Sequence, residues 1–231
     1  MVSVLRPGDR IHHIPGIGMQ TSRRAVASGA AAGWWVVAGK TCVAAYQPKG
    51  AASLAASYVN LANPGTNNCA PGTAPTWASA TGWTFIAGLS QYLTTGVVPV
   101  AGWSSLAQFS GVTNTGYLYG CYSGSNTRHY IRPDTTGDQL RYGNGGVQLI
   151  TPRLLFGNLG VAGQQGYRNG VADGAAIGAW SGTGTVALII GGFSDGTPQT
   201  FVTANMQAFA IYSDTLTAGE MADKKAAMAA L

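Results

Sequence analysis

The sequence predicts an all-β protein built as a sandwich of antiparallel sheets. Three observations carry this. Roughly a dozen short apolar or alternating runs are separated by Gly, Pro, Asn and Asp turn signals, with no helical segments alternating between them. The composition has 34 Gly and 10 Pro in 231 residues but only 9% charged residues, which excludes a helical bundle and a disordered chain. The C-terminal stretch then reads as a long strand, a turn and a capped helix. Val202, Ala204, Met206, Ala208, Ala210 and Tyr212 fall on one face of that strand by period two, while the other face is polar at first and apolar at Phe209 and Ile211. Thr217 three residues before Glu220 forms a capping box, with Lys224 four residues further on.

From the N-terminus, residues 1–33 show no sustained period and read as a loose or partner-ordered arm. Residues 34–37 and 41–46 are expected to pair as a hairpin leading into the domain, and 50–58 to make a short helical turn. Residues 60–75 are turn chemistry throughout and read as a surface loop. Strands follow at 82–86, 91–95, 103–109 and 115–122, the last with Tyr117, Tyr119 and Cys121 on one face. Further strands at 128–132, 139–142 and 147–150 are broken by Pro133-Asp134 and Asn144-Gly145-Gly146. After an apolar run at 154–159, residues 165–168 meet Val171-Ala172 across Asn169-Gly170, the strongest hairpin signal present. Residues 186–190 are continuously apolar and fit a central strand covered on both faces. No fixed-period repeat argues for a propeller or solenoid.

Charge divides the chain into a basic arm and opening hairpin, 1–45, and a neutral domain, 46–231. Up to Lys49 there are six bases (Arg6, Arg10, Arg23, Arg24, Lys40, Lys49) against Asp9 alone, and the remainder carries seven of each sign. Such an arm suits an acidic neighbour, a membrane surface or nucleic acid. The plainer reading is an arm packed on a neighbouring subunit, with Trp34 and Trp35 beside its apolar segment. No aromatic residues interleave the bases before Trp34, so single-strand stacking is not expected, nor is sequence-specific nucleic acid binding. The first residues carry charges and prolines where a secretion signal needs an apolar run, and 29–38 is too short to span a membrane. Cys42, Cys69 and Cys121 lack metal spacing; either one disulfide and a free thiol or three reduced thiols are compatible with them.

Several segments resemble concanavalin A-like, LamG-type jelly rolls over residues 46–231. Tyr167-Arg168-Asn169-Gly170-Val171 is similar to that family's Y-x-N-G hairpin, and Ile189-Ile190-Gly191-Gly192 to the strand that follows it. Ala208-Phe209-Ala210-Ile211-Tyr212 with Leu216, Thr217 and Glu220 resembles its closing strand and helix. Gly82-Trp83-Thr84-Phe85 and Tyr92-Leu93-Thr94-Thr95-Gly96 resemble its opening strands. The resemblance implies two curved antiparallel sheets packed face to face. The stretches 46–52 and 60–65 also resemble the lead-in of jelly-roll proteins from phage and prophage structural gene sets.

The chemistry weighs against catalysis. Glycosidases on this fold use a carboxylate pair on one strand, E-x-D-x-x-E, which is absent. The single glutamate, Glu220, caps a helix, and Asp9, Asp134, Asp138, Asp173, Asp195, Asp214 and Asp223 fall in loops, arm or helix. Only His12, His13 and His129 are available as bases, with no G-x-S-x-G elbow, and His12-His13 reads as a solvated pair. Calcium is the cofactor the resemblance implies for lectin-like members. Asp134 and Asp138 offer two carboxylates around a turn, although a turn that bonds its own backbone is favoured over a calcium site; no cofactor is expected. For sugar binding, aromatic and hydrogen-bonding residues cluster on neighbouring strands: Tyr122, Arg128, Tyr130, Arg132, Tyr142 and Asn144, with Tyr117 and Tyr119 alongside. Alternation means that only one set of these faces outward.

The expectation is a non-enzymatic virion structural protein of a phage-like particle, in capsid decoration or tail, forming homo-oligomers and touching other virion proteins through its arm. The alternative is a secreted or surface-displayed lectin-like module for host or cell-surface glycans.

Overall fold

The computed structural model describes residues 33–150 and 152–231. Arg6, Arg10, Arg23, Arg24, His12 and His13 lie outside the described residues, as does most of the expected arm.

The elements run β1 (Cys42–Tyr46), α1 (Leu54–Ser57), β2 (Ala70–Thr73), β3 (Thr76–Ala78), β4 (Gly82–Phe85), β5 (Tyr92–Thr94), β6 (Ser104–Ser110), β7 (Tyr119–Gly124), β8 (Thr127–Thr135) and β9 (Gln139–Asn144). They continue with β10 (Gly146–Ile150), β11 (Gly157–Ala162), β12 (Gln165–Arg168), β13 (Val171–Ala172), β14 (Ile189–Ile190), β15 (Phe193–Ser194), β16 (Pro198–Gln199), β17 (Ala204–Tyr212) and α2 (Ala218–Ala229). One sheet has the order β13-β12-β11-β6-β17-β4-β3, the other β10-β9-β8-β7-β14-β5-β2. In the first, β4 and β1 lie end to end along one side of β17, opposite residues 204–206 and 209–212 respectively. Pairing is antiparallel except for single-residue parallel contacts at Ser194–Cys121 and Tyr117–Phe201. The fold is therefore the all-β jelly-roll sandwich that the sequence predicts, closed by a short C-terminal helix.

Between the sheets lies a core that includes Trp83, Phe85, Leu93, Phe109, Tyr119, Ile131, Leu159 and Phe209. Trp83 is fully buried and donates its indole N–H to Ser57 Oγ at 2.7 Å, which satisfies the one polar atom that burial would orphan. A second cluster (Leu106, Ala210, Tyr212, Leu216, Met221, Met228) fills the space between the outside of the first sheet and α2.

β17 serves both clusters through a bulge. Its register against β6 shifts between Met206 and Ala208. Before the bulge Ala204 and Met206 face the sandwich core; after it Phe209 and Ile211 do, and Ala208, Ala210 and Tyr212 turn to the helix side. A single inserted residue reverses the faces, so the six residues assigned to one face in fact serve two.

α2 begins with the expected capping box: Thr217 N–H donates to Glu220 Oε2 at 2.7 Å, and Glu220 N–H to Thr217 Oγ1 at 3.3 Å. Lys224 reaches the carbonyls of Trp34 at 2.8 Å and Val36 at 2.7 Å.

Other expectations need correction. Residues 33–41 form turns, closed by Val36 N–H to Gly33 O and Lys40 N–H to Val37 O, so β1 pairs with β17 and no opening hairpin exists. Part of the 60–75 loop is β2, paired with β5. β8 runs through Pro133-Asp134, because a register shift between Arg132 and Thr135 absorbs the missing proline N–H. Of 186–190 only Ile189–Ile190 is ladder-paired: Ser123 Oγ takes the Thr185 and Val186 N–H groups, and Leu188 N–H bonds Val97 O. Of 154–159, only the part from Gly157 is strand.

The three cysteines are free thiols. Among the described residues, no helix is long and apolar enough to cross a membrane.

Candidate functional site

Period two sorts the side chains of β7, β8 and β9. Tyr119, Cys121, Ile131, Leu140 and Tyr142 belong to the sandwich core. Tyr122, Arg128, Tyr130, Arg132 and Arg141, of the opposite parity, stand on the outer face of the second sheet. Tyr130 is the pivot. It sits in register with Gly120 on one side and Gly143 on the other. A Cβ at Gly143 would lie 2.6 Å from its ring and one at Gly120 would lie 2.7 Å from its Cβ, so the two glycines make the bed in which the tyrosine lies.

Tyr117 and Phe193 are laid over this ring from outside the strands. Tyr117 meets Tyr130 edge-on at 5.0 Å and stacks on Phe193 at 4.7 Å, and Tyr122 packs near Phe193 at 6.1 Å. Only 2% of Tyr130 is left exposed, and burial raises its phenol pKa, followed by the neighbouring Tyr117, with Arg128 and Arg141 opposing. Tyr117 thus sits outside the core, not on the face of Tyr119 and Cys121.

Arginines ring the aromatic cluster. The Arg128 guanidinium lies over Tyr122 at 4.9 Å and donates to Ser125 O. Arg132 lies over Tyr117 at 5.1 Å and donates from Nε to Thr115 O at 2.7 Å. Arg141 is directly opposite Arg132 in the β8–β9 register. The buried Nε atoms of Arg128 and Arg141 have no hydrogen-bond partner. With Phe193, Asp195, Gln199 and Thr200 these residues line a cleft of about 310 Å³. Asp195 accepts from Gln199 Nε2 at 2.6 Å on the far wall.

The structure therefore brings Tyr122, Arg128 and Tyr130 to one cleft and sets Arg132 beside it. It sends Tyr142 and Asn144 inward. Tyr142 is fully buried and donates to Asp173 Oδ2 at 2.9 Å, an oxygen shared with Arg168 Nε at 2.8 Å. Sequence reasoning misses Arg141 because the even-numbered outward face of β8, carried into β9, lands on Tyr142, whereas the register sets Arg141 opposite Arg132. Phe193 and Asp195 arrive from the β15–β16 hairpin, distant in sequence from β8, with no signal in the sequence.

Asn144 belongs to a buried relay. Its Nδ2 donates to Trp103 O at 3.0 Å and Gly163 O at 2.5 Å, so its Oδ1 accepts from His129 Nδ1 at 3.0 Å. His129 Nε2 is left to accept from Ser105 Oγ at 2.7 Å, and Ser105 in turn takes the Tyr119 hydroxyl at 2.7 Å. This Ser–His–Asn order has the connectivity of a nucleophile–base–orienter set. However, Ser105 and His129 are both fully buried between the sheets, where no substrate reaches them. Burial depresses the imidazole pKa to about 4, against a partial rise from Asn144, and so keeps it neutral.

The calcium candidates share one guanidinium: Arg153 Nη1 is 3.2 Å from Asp134 and 2.9 Å from Asp138. Among the described residues no three His, Cys, Asp or Glu side chains gather as a metal-binding group. Trp34 and Trp35 pack on the domain's own second cluster, Trp34 donating to Gln47 Oε1 at 2.9 Å. A second cleft, of about 400 Å³, is walled by Trp180, Gln164, Asn144 and Thr215. There the Asn144 amide, the Thr215 hydroxyl and the Trp180 indole N–H are already committed to backbone carbonyls.

No family model matches the chain, and no curated protein sequence matches it. Solved structures do. The chain is similar to domain 4 of AbnA, a GH43 extracellular arabinanase from Geobacillus stearothermophilus, in complex with arabinotriose: TM-score 0.56, 15% identity, over 80% of this chain and 98% of that one. It is also similar to a mutant of Trypanosoma rangeli sialidase displaying trans-sialidase activity, with TM-score 0.54 and 15% identity over 81% of this chain. A mutant of HCR/D gives TM-score 0.53 and 9% identity over 80%. What these structures share with this chain is the β-sandwich fold. The chain spans 33% of the sialidase and 52% of HCR/D.

Proposed function

We propose that this chain is a non-catalytic glycan-binding module and that the outer-face cleft around Tyr122, Arg128 and Phe193 is its binding site. The observation that carries the reading is a cleft in which the rings of Tyr122 and Phe193 stand beside the hydrogen-bonding side chains of Arg128, Arg141, Asp195 and Gln199, the combination that saccharide recognition requires. The arabinanase domain of the same fold, found with arabinotriose, supports it. Its non-catalytic character is supported by the sealed position of Ser105 and His129 and by the pairing of Asp134, Asp138 and Asp173 with arginines.

A glycan array read with the wild-type chain and with Tyr122→Ala tests this. Specific signals that fall by at least about five-fold in the variant are expected, the loss of roughly one aromatic contact. An array silent for the wild-type protein would overturn the reading. Tyr130 and Tyr142 are poor probes, because both are buried and their loss would disturb packing.

Placement on a phage-like particle is a separate proposal. It rests on the segregation of six bases in the first 49 residues and on the lead-in resemblance. Deleting residues 1–32 is expected to release the protein from such a particle with the domain still folded; unchanged incorporation would count against it.

A further inference from the structure

We propose that the ligand of the outer-face cleft is an anionic saccharide, one whose carboxylate or sulfate group sits between Arg128 and Arg141. This rests on the glycan-binding reading and sharpens it. The described residues include five arginines. Arg153 and Arg168 are paired with carboxylates, at 2.9 and 2.8 Å. Arg128, Arg132 and Arg141 form no salt bridge among the described residues, yet they stand together on the outer face of adjacent strands.

Arg132 and Arg141 are moreover directly opposite each other in the ladder. Like charges at that spacing destabilise a sheet, so a protein that needed only a folded sandwich would gain by replacing one of them. Each guanidinium also has a distinct commitment. Arg132 spends Nε on Thr115 O and is pinned over Tyr117. Arg128 is held by Ser125 O and Tyr122, and its Nε remains unbonded. Arg141 Nε is likewise unbonded. Two guanidiniums that line one cleft with no carboxylate partner among the described residues leave positive charge there that an anion would offset.

Asp195 is the single carboxylate of the cleft wall, against the two guanidiniums of Arg128 and Arg141 that line it, with Arg132 beside them. Bonded to Gln199, it is placed to accept sugar hydroxyls while the arginines hold the acid. A single-stranded nucleic acid would offer anions too, but it uses successive aromatic platforms along a basic track. Here Tyr117, Tyr130 and Phe193 are packed on one another and form no row of separate platforms.

The test is calorimetric titration of the full chain at low ionic strength with matched pairs: sialyllactose against lactose, a heparin oligosaccharide against its desulfated form, and an oligogalacturonate against its carboxyl-reduced form. A thymidine oligonucleotide is run beside them. The acidic member of at least one pair is expected to bind at least about ten-fold more tightly than its neutral counterpart, and the pair that responds separates carboxylate from sulfate. Arg128→Gln and Arg141→Gln should each lower that affinity about ten-fold or more, the melting temperature of Arg141→Gln holding or rising as its like-charge contact with Arg132 is relieved, and Lys225→Gln, away from the cleft, should leave the affinity unchanged. Equal binding of acidic and neutral sugars, abolished by Tyr122→Ala, would overturn the anion inference and leave the glycan reading standing. No binding of any saccharide would overturn both, and tighter binding of the oligonucleotide would reassign the cleft.

Discussion

Acidification should destabilise this protein through one residue, His129. The imidazole is fully buried, and its pKa falls from an ordinary 6.5 to about 4. Between those values the unfolded chain holds a proton that the folded one does not, so stability is complete above pH 6.5 and declines as pH falls toward 4. At about 1.4 kcal/mol per pH unit, the gap corresponds to at most about 3.5 kcal/mol, a large share of a domain's net stability. Structurally, a second proton would have to go on Nε2, which accepts the Ser105 hydroxyl; that hydroxyl would have to turn, and Tyr119 with it. The assay is urea unfolding at pH steps from 7 to 4 for the wild type and for His129→Gln. The variant removes the titration and, at neutral pH, costs roughly 1–3 kcal/mol for disturbed buried hydrogen bonds. The wild-type curve should fall more steeply with acid than the variant's, converging on it. Parallel curves would refute the argument, as would an imidazole that titrates near 6.5 by NMR in the folded protein.

Gly143→Ala should push Tyr130 off its bed, cost about 1–3 kcal/mol in urea unfolding and weaken any ligand of the cleft; an unchanged midpoint would show that the ring has room to move. Thr217→Ala removes one side of the α2 capping box and should cost about 1 kcal/mol by the same measurement. Burial pushes the Cys42 and Cys121 thiols up to about 12 and raises Cys69 as well. Iodoacetamide at pH 8 should therefore label the native protein slowly and the urea-unfolded protein fast; equal rates would refute the burial assigned to them.

The fold was legible because its signals are local. Alternation, Asn169-Gly170 and the Thr217–Glu220 box each act within a few residues, and each survives as β12–β13 or as the start of α2. Parity failed where a backbone irregularity intervened. The bulge in β17 moves Ala208, Ala210 and Tyr212 to the helix side, and nothing in the residues around Gln207 announces it. The site was legible by half for the same reason. Tyr122, Arg128 and Tyr130 follow from one strand pair, but β8 runs past Pro133 through a shifted register before β9 begins, so the face of Tyr142 could not be inferred from that of Tyr130. Phe193, Asp195 and Gln199 reach the cleft by β15–β16 pairing, a contact distant in sequence from β8.

β8 explains why so much depends on one strand. Its inward residues, His129 and Ile131, join the sheets through Ser105 and the core, and of its outward residues Arg128 and Tyr130 line the cleft while Arg132 stands beside it. Because successive residues alternate faces, neither set can shift without moving the other. The relay that looks catalytic thus acts as an anchor: its hydrogen bonds fix the strand's position against the other sheet, and the strand fixes the spacing of the arginines. A site held this way is preorganised, with its guanidiniums in place before a ligand arrives and little ordering entropy left to lose on binding. On the proposed glycan-binding reading, the relay residues hold β8 in position. His129→Gln should then loosen the cleft and lower ligand affinity, whereas an enzyme would instead lose turnover at a site that solvent can reach.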